Sequence, residues 1–118
     1  MNMCAQWLKY SRIRKSYDFQ RVQRNGKKWR SQDFLFLFLK NNLENPRIGL
    51  VVSKKVGNAV HRNKVKRLLR EVSRHHLAII DSKVDIAIVA FNSASERSYL
   101  EIEQQITKAF RKINGWTV

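Results

Sequence analysis

The stretch Val52–Arg74 constrains this chain more than any other part of it. It reads Val-Ser-Lys-Lys-Val-Gly-Asn-Ala-Val-His-Arg-Asn-Lys-Val-Lys-Arg-Leu-Leu-Arg-Glu-Val-Ser-Arg. The pattern predicts the end of a strand, a Gly-Asn turn and a helix from about Ala59 to His76. At roughly 100° per residue, Val65, Leu68, Leu69 and Val72 fall on one side of that helix. Arg62, Asn63, Lys66, Arg67, Arg70 and Arg74 fall on the other, with Glu71 the only acid nearby. Arg62, Lys66 and Arg70 repeat at i+4 with no carboxylate between them, and each such like-charge pair costs a few tenths of a kcal/mol. A face of this kind tolerates its self-repulsion best against an anionic partner.

The formal net charge is +15, and its position says more than its size. Lys9–Arg30 carries nine Lys/Arg against Asp18, and Ser53–Arg74 carries eight against Glu71. The remaining basic and acidic residues balance at seven each. Two basic blocks of this density raise the local concentration of a polyanion, with affinity that falls steeply in salt. Neither block has the broad Trp/Phe/Leu face of an interfacial helix, and no apolar run reaches transmembrane length, so a membrane partner is not expected. The first residues, Met-Asn-Met-Cys-Ala-Gln-Trp, lack the apolar stretch of a secretory signal. Cys4 is the single cysteine, which leaves no disulfide framework and no metal-ligand spacing, and no disulfide-linked partner is expected. The protein reads as cytoplasmic.

A chain of 118 residues is long enough for one core without metal or disulfide staples. Residues 1–15 read as a basic arm that becomes fixed on a partner, and residues 16–118 as a single domain. Ser16 is placed to cap a short helix over about Tyr17–Arg24, with Phe19 and Val22 inward and Asn25-Gly26 ending it. In Asp33–Lys40, Phe34, Phe36 and Phe38 alternate with Leu35, Leu37 and Leu39. Both faces of that strand are apolar, so it is either covered on both sides or lines an apolar groove on one. Ile48–Ser53 is the next strand and is expected to form a hairpin with it across Asn41–Pro46. Asp85–Phe91 is a further apolar strand. Ser98 and Glu101 have capping-box spacing and open a final helix striped by Ile102, Ile106, Ala109, Phe110 and Ile113, closed by Asn114-Gly115. The sum is a layered α/β (α+β) domain with a small sheet.

The chemistry on offer is binding chemistry. Asp18, Asp33, Asp81 and Asp85 are isolated, with no paired-acid or His-x-Glu spacing for a metal nuclease. Val56-Gly57-Asn58 is a turn and not a phosphate loop. His61, His75 and His76 read as satisfied histidines at the edge of the core rather than as acid–base catalysts. No catalytic residue and no protein-bound metal or cofactor is expected.

Val52-Ser53-Lys54-Lys55-Val56-Gly57-Asn58-Ala59-Val60, followed by Arg62-Asn63-Lys64, Lys66-Arg67 and Arg70-Glu71, resembles the signature of the protein subunit of bacterial ribonuclease P. The flanks agree: Asp18-Phe19-Gln20-Arg21-Val22 before Gly26, and Asp85-Ile86 opening a strand before a final helix. The resemblance spans the chain after the arm. It implies the order α-β-β-β-α-β-α, a two-layer domain with a mixed sheet of about four strands and a left-handed crossover, against the usual preference. It implies a ribonucleoprotein that removes the 5′ leader of precursor tRNA, an endonucleolytic hydrolysis in which the catalytic RNA and Mg²⁺ do the chemistry.

Carried over residue by residue, Arg62, Asn63, Lys64, Lys66, Arg67 and Arg70, with Lys54 and Lys55, face the catalytic RNA. Phe19, with Leu37 and Phe36, faces the leader, and Lys9, Arg12, Arg14 and Lys15 are auxiliary basic contacts. Guanidinium forks match phosphate bidentately, and an aromatic face stacks any base. The chain departs from the family pattern at three points. Gln23 stands where a second cleft aromatic is found, Leu37 where the middle strand carries an aromatic, and Phe91 where a basic residue often follows the last strand. Two other readings fit the charge: a stand-alone RNA-binding module such as a ribosomal protein, and a protein-only nuclease, which the missing acid cluster disfavours.

Overall fold

The structure, a computed structural model, describes residues 16–41, 46–81 and 83–116. The side chains of residues 16–19 and 116 fall outside that description, as does the arm at residues 1–15. In chain order the elements are α1 (Ser16–Asn25), β1 (Lys27–Arg30), β2 (Phe34–Lys40), β3 (Arg47–Val51), α2 (Ala59–His76), β4 (Val84–Ala90) and α3 (Tyr99–Trp116). The four strands form one mixed sheet in the order β1-β2-β4-β3.

Alternation in β2 decides what lies on each face. Phe34, Phe36 and Phe38 point to one side and are fully buried. There they join Ile86 and Ile88 of β4, Val65, Leu69 and Val72 of α2, and Ile102, Ile106, Phe110 and Ile113 of α3. Burying each phenyl ring is worth about 1.5–3 kcal/mol. A one-residue slip of β2 would turn all three to the other face, so the register is held by several kcal/mol. The sheet and the α2/α3 pair thus make the two-layer core. On the opposite face Leu37, Ala87 and Val22 form a second, smaller cluster, edged by Leu35, Leu39 and Val89. Here α1 covers only the middle of the sheet. Of the two options for β2, both hold in part: one face is fully covered, and the other is covered at its centre and open beyond it.

The expected hairpin between the second and third strands does not form. β2 pairs antiparallel with β4, from Phe34↔Ala90 to Lys40↔Val84, and β3 pairs parallel with β4, from Arg47↔Asp85 to Val51↔Val89. The physical reason lies in β4 itself: six of its seven residues are buried, as suits a strand with neighbours on both sides and helices over both faces. β3 is left as an edge, and α2 is the crossover that carries the chain from β3 to its parallel neighbour.

Two glycines are required by geometry. At Gly26 the chain leaves α1 so close to β2 that a methyl group would run into the carbonyls of Val22 and Phe38. Gly57 has φ 148°, open to glycine and rarely adopted by other residues. At α3, Ser98 and Glu101 form the expected reciprocal cap: the Ser98 N–H donates to Glu101 Oε1 at 3.1 Å and the Glu101 N–H to Ser98 Oγ at 3.3 Å. The helix continues to Trp116, one residue past the Asn-Gly stop.

Candidate nucleic-acid interface

The basic face of α2 is assembled by a chain of local caps. Ser53 Oγ accepts from the Lys55 N–H and starts a single 3₁₀ turn, Lys54–Val56. Gly57 reverses the chain, and Asn58 Oδ1 then caps α2 by accepting from the His61 N–H at 3.1 Å. The same oxygen accepts from the His61 ring Nδ1 at 2.9 Å. Val65, Leu69 and Val72 lock the inner side into the core. That leaves Lys54, Lys55, Asn63, Lys64, Arg67 and Arg70 exposed, with Arg62, Lys66 and Arg74 half-buried at the margins. The first turn of α2 contains no acid. Among the described residues the ion pairs engage Arg21, Arg47, His76 and Arg97, and none engages a lysine or arginine of α2. Arg62 and Arg74 each hold a shielded Nε without a hydrogen-bond partner.

The cations that are paired do structural work, and sequence spacing carries no sign of it. Asp85 is fully buried beneath α1. It accepts from Arg47 Nε at 2.8 Å and Nη2 at 2.6 Å, from Arg21 Nη2 at 2.9 Å, and from Asn41 Nδ2 at 2.7 Å. Burial alone would raise its pKa, but the hydrogen bonds from Arg47 and Asn41 and the nearby guanidinium charges outweigh that and hold it below the ordinary range. Asp33, equally buried, accepts from Ser93 Oγ, Gln105 Nε2 and Arg97 Nε at 2.6, 2.6 and 2.8 Å. Desolvation is again overcome, here by the bonds from Ser93, Gln105 and Arg97, and its pKa is lowered. The first cluster ties α1 and β3 to β4; the second ties the β1–β2 turn to α3 and to the segment after β4.

On the open part of the sheet, where β1 and β4 end, lies a groove of about 540 Å³ lined by Arg30, Gln32, Ser53, Lys55, Val89 and Phe91 among others. The Arg30 guanidinium lies 4.6 Å from the centre of the Phe91 ring, within cation–π range. Lys55 therefore stands where the α2 surface meets the groove. Sequence reasoning misses this Arg30–Phe91 pair; an aromatic directly after the apolar β4 run is its only signal. Leu37 lies on the groove side but is 3% exposed beneath Val22. Phe36 requires a correction: it points to the other face of β2, fully buried against Trp29 and Phe34, so no nucleotide in the cleft reaches it. Phe19 is on α1, but its side chain, like Lys9, Arg12, Arg14 and Lys15, lies outside the described residues.

The histidines all have partners, and two of the three are on the surface rather than at the core edge. His61 and His75 are exposed, and His75 Nδ1 is 3.0 Å from the Tyr99 hydroxyl. His76, half-buried, meets Glu103 at 2.7 Å. Among the described residues no three His, Cys, Asp or Glu side chains gather as a metal site, and no helix is long and apolar enough to cross a membrane.

A helix face crowded with lysine and arginine, Glu71 its only acid, lies beside a groove with a basic rim on a small mixed sheet; this is an α+β protein with a surface suited to an extended polyanion. The comparisons with known proteins are specific. A family model described as Ribonuclease P matches residues 8–114. The Ribonuclease P protein component of Clostridium novyi is 41% identical over 88% of this chain and 94% of its own. A structure of the Staphylococcus aureus RNase P protein superposes with a TM-score of 0.77 at 36% identity, covering 86% of this chain and 93% of that one. The RNase P protein of Thermotoga maritima gives 0.79 at 29% identity, covering 86% and 96%. The chain belongs to the ribonuclease P protein family.

Proposed function

We propose that this chain is the protein component of a ribonuclease P ribonucleoprotein and promotes removal of the 5′ leader from precursor tRNA. The observation that carries this reading is the adjacency of two surfaces: the cation-rich face of α2 and the groove on the open part of the sheet, which Lys55 borders. In it, Arg62, Asn63, Lys64, Lys66, Arg67 and Arg70 hold phosphates of the catalytic RNA, at roughly 1.5–3 kcal/mol for each well-formed charge-assisted bond. The groove takes the single-stranded leader, with its basic rim on the phosphates and its apolar floor under the bases. Lys54 and Lys55 join the two surfaces.

Hydrolysis belongs to the RNA subunit, with Mg²⁺ as the ion that supplies Lewis-acid chemistry there. The described residues do not fit that ion: the buried carboxylates Asp33 and Asp85 already have their oxygens taken by arginine, amide and hydroxyl donors. What this chain contributes is binding and orientation of two RNAs toward each other. The test is reconstitution. The purified protein leaves precursor tRNA uncut, and adding the catalytic RNA at modest Mg²⁺ restores 5′ maturation beyond what the RNA achieves alone. Cleavage by RNase-treated protein without RNA, or ribosomal RNA binding with no rescue, refutes the reading.

A further inference from the structure

A third basic surface forms only on folding. The last acid of α3 is Glu103; beyond it the helix carries Lys108, Arg111 and Lys112. All three are exposed, on the side away from Ile106, Phe110 and Ile113. They occupy i, i+3 and i+4, where like charges oppose one another, and no carboxylate among the described residues pairs with them. This helix runs beside the edge strand β1: Ser31 Oγ donates to Gln105 Oε1 at 2.6 Å, and Lys112 Nζ lies 5.7 Å from the centre of the Trp29 ring. β1 is Lys-Lys-Trp-Arg. Alternation puts Lys27 and Trp29 on the α3 side and Lys28 and Arg30 on the groove side. The basic track therefore leaves the groove at Arg30, turns around the free edge of the sheet and continues along α3.

Two ordinary explanations are insufficient. Cations complement a helix dipole in its last turn, yet the last turn of α3 contains none. Lysines on an edge strand protect it from pairing with another sheet, which accounts for Lys27 and Lys28 but not for a stripe on the neighbouring helix.

We propose that the β1 edge and the Lys108–Lys112 stripe hold the backbone phosphates of a 5′ leader long enough to run out of the groove, making this protein selective for precursors with extended single-stranded 5′ ends. The inference rests on the function proposed above, since it takes the groove to be the leader's path. The experiment uses the enzyme reconstituted with catalytic RNA and two precursor tRNAs, one with a leader that only fills the groove and one extended well past it. The variant combines Lys108→Ala, Arg111→Ala and Lys112→Ala. At roughly threefold for each phosphate held, affinity for the long-leader substrate falls about tenfold or more, and its log–log salt slope shrinks by up to about 2. Affinity for the short-leader substrate, affinity for the catalytic RNA and the melting temperature do not change. Unchanged long-leader affinity and slope overturn the proposal. So do equal losses on both substrates, or a loss in catalytic-RNA binding, which would assign the stripe to that RNA. A wild-type protein that fails to support cleavage defeats the underlying function instead, so the two failures are distinguishable.

Discussion

Replacing Asp85 by Asn tests how the cleft is held. Four donors converge on the carboxylate, two on each oxygen, and an amide keeps only one acceptor oxygen. Whichever way it is turned, two donors face an N–H₂ group, and the charge opposite two arginines is gone. Charge-assisted bonds are worth about 1.5–3 kcal/mol each. The Arg21 side chain is 42% exposed and can turn into water, whereas that of Arg47 is 20% exposed and loses more. The net is about 2–4 kcal/mol, short of the roughly 3–5 for a fully stranded buried charge. In urea the midpoint drops with an unchanged slope. The pH dependence carries a sign as well. Because the folded-state pKa is depressed, the carboxylate's contribution is complete above the unfolded value of about 4 and is lost as pH falls below it toward the folded pKa. The wild type therefore loses stability in that acid window, and the Asn variant loses less. Equal stabilities at neutral pH, within about 0.5 kcal/mol, would refute the reasoning. Since Arg21 belongs to α1, the variant also weakens binding of leader-bearing substrates more than binding of the catalytic RNA.

Two further outcomes are expected. Arg62→Ala with Arg67→Ala reduces affinity for the catalytic RNA by about 10- to 100-fold and flattens its salt dependence by roughly 0.7–0.9 for each phosphate no longer held, measured by titration at several salt concentrations, while the melting temperature holds. Gly57→Ala is destabilising by about 1–3 kcal/mol, since φ is 148° and the new Cβ lies 3.0 Å from His61 Cβ; thermal unfolding reads it directly.

What could be read from the chain before folding was local. The α2 span, its apolar stripe, the Ser98–Glu101 cap and the burial of Val22 all follow from spacings within a few residues. The pairing of β3 did not, because neighbours in sequence suggest a hairpin, while the strand that separates β2 from β3 arrives more than thirty residues later. The roles of Asp33 and Asp85 were hidden for the same reason: Arg97 lies 64 residues from Asp33, and Arg47 lies 38 from Asp85. Phe36 and Leu37 were both plausible groove residues until the face of β2 was known. Charge behaved likewise, since acids and bases that balance by count separate in space once Asp33 and Asp85 are buried with their arginines and α3 turns its lysines outward.

The late arrival of β4 also shapes how the molecule is made. Until residues 84–90 emerge from the ribosome, β2 has only β1 beside it, β3 has no strand to pair with, and α2 has no completed sheet to rest on. A nascent chain that already contains every cation of α2 still lacks the scaffold to present them. The basic face of α2 thus reaches its final setting only when synthesis is nearly complete.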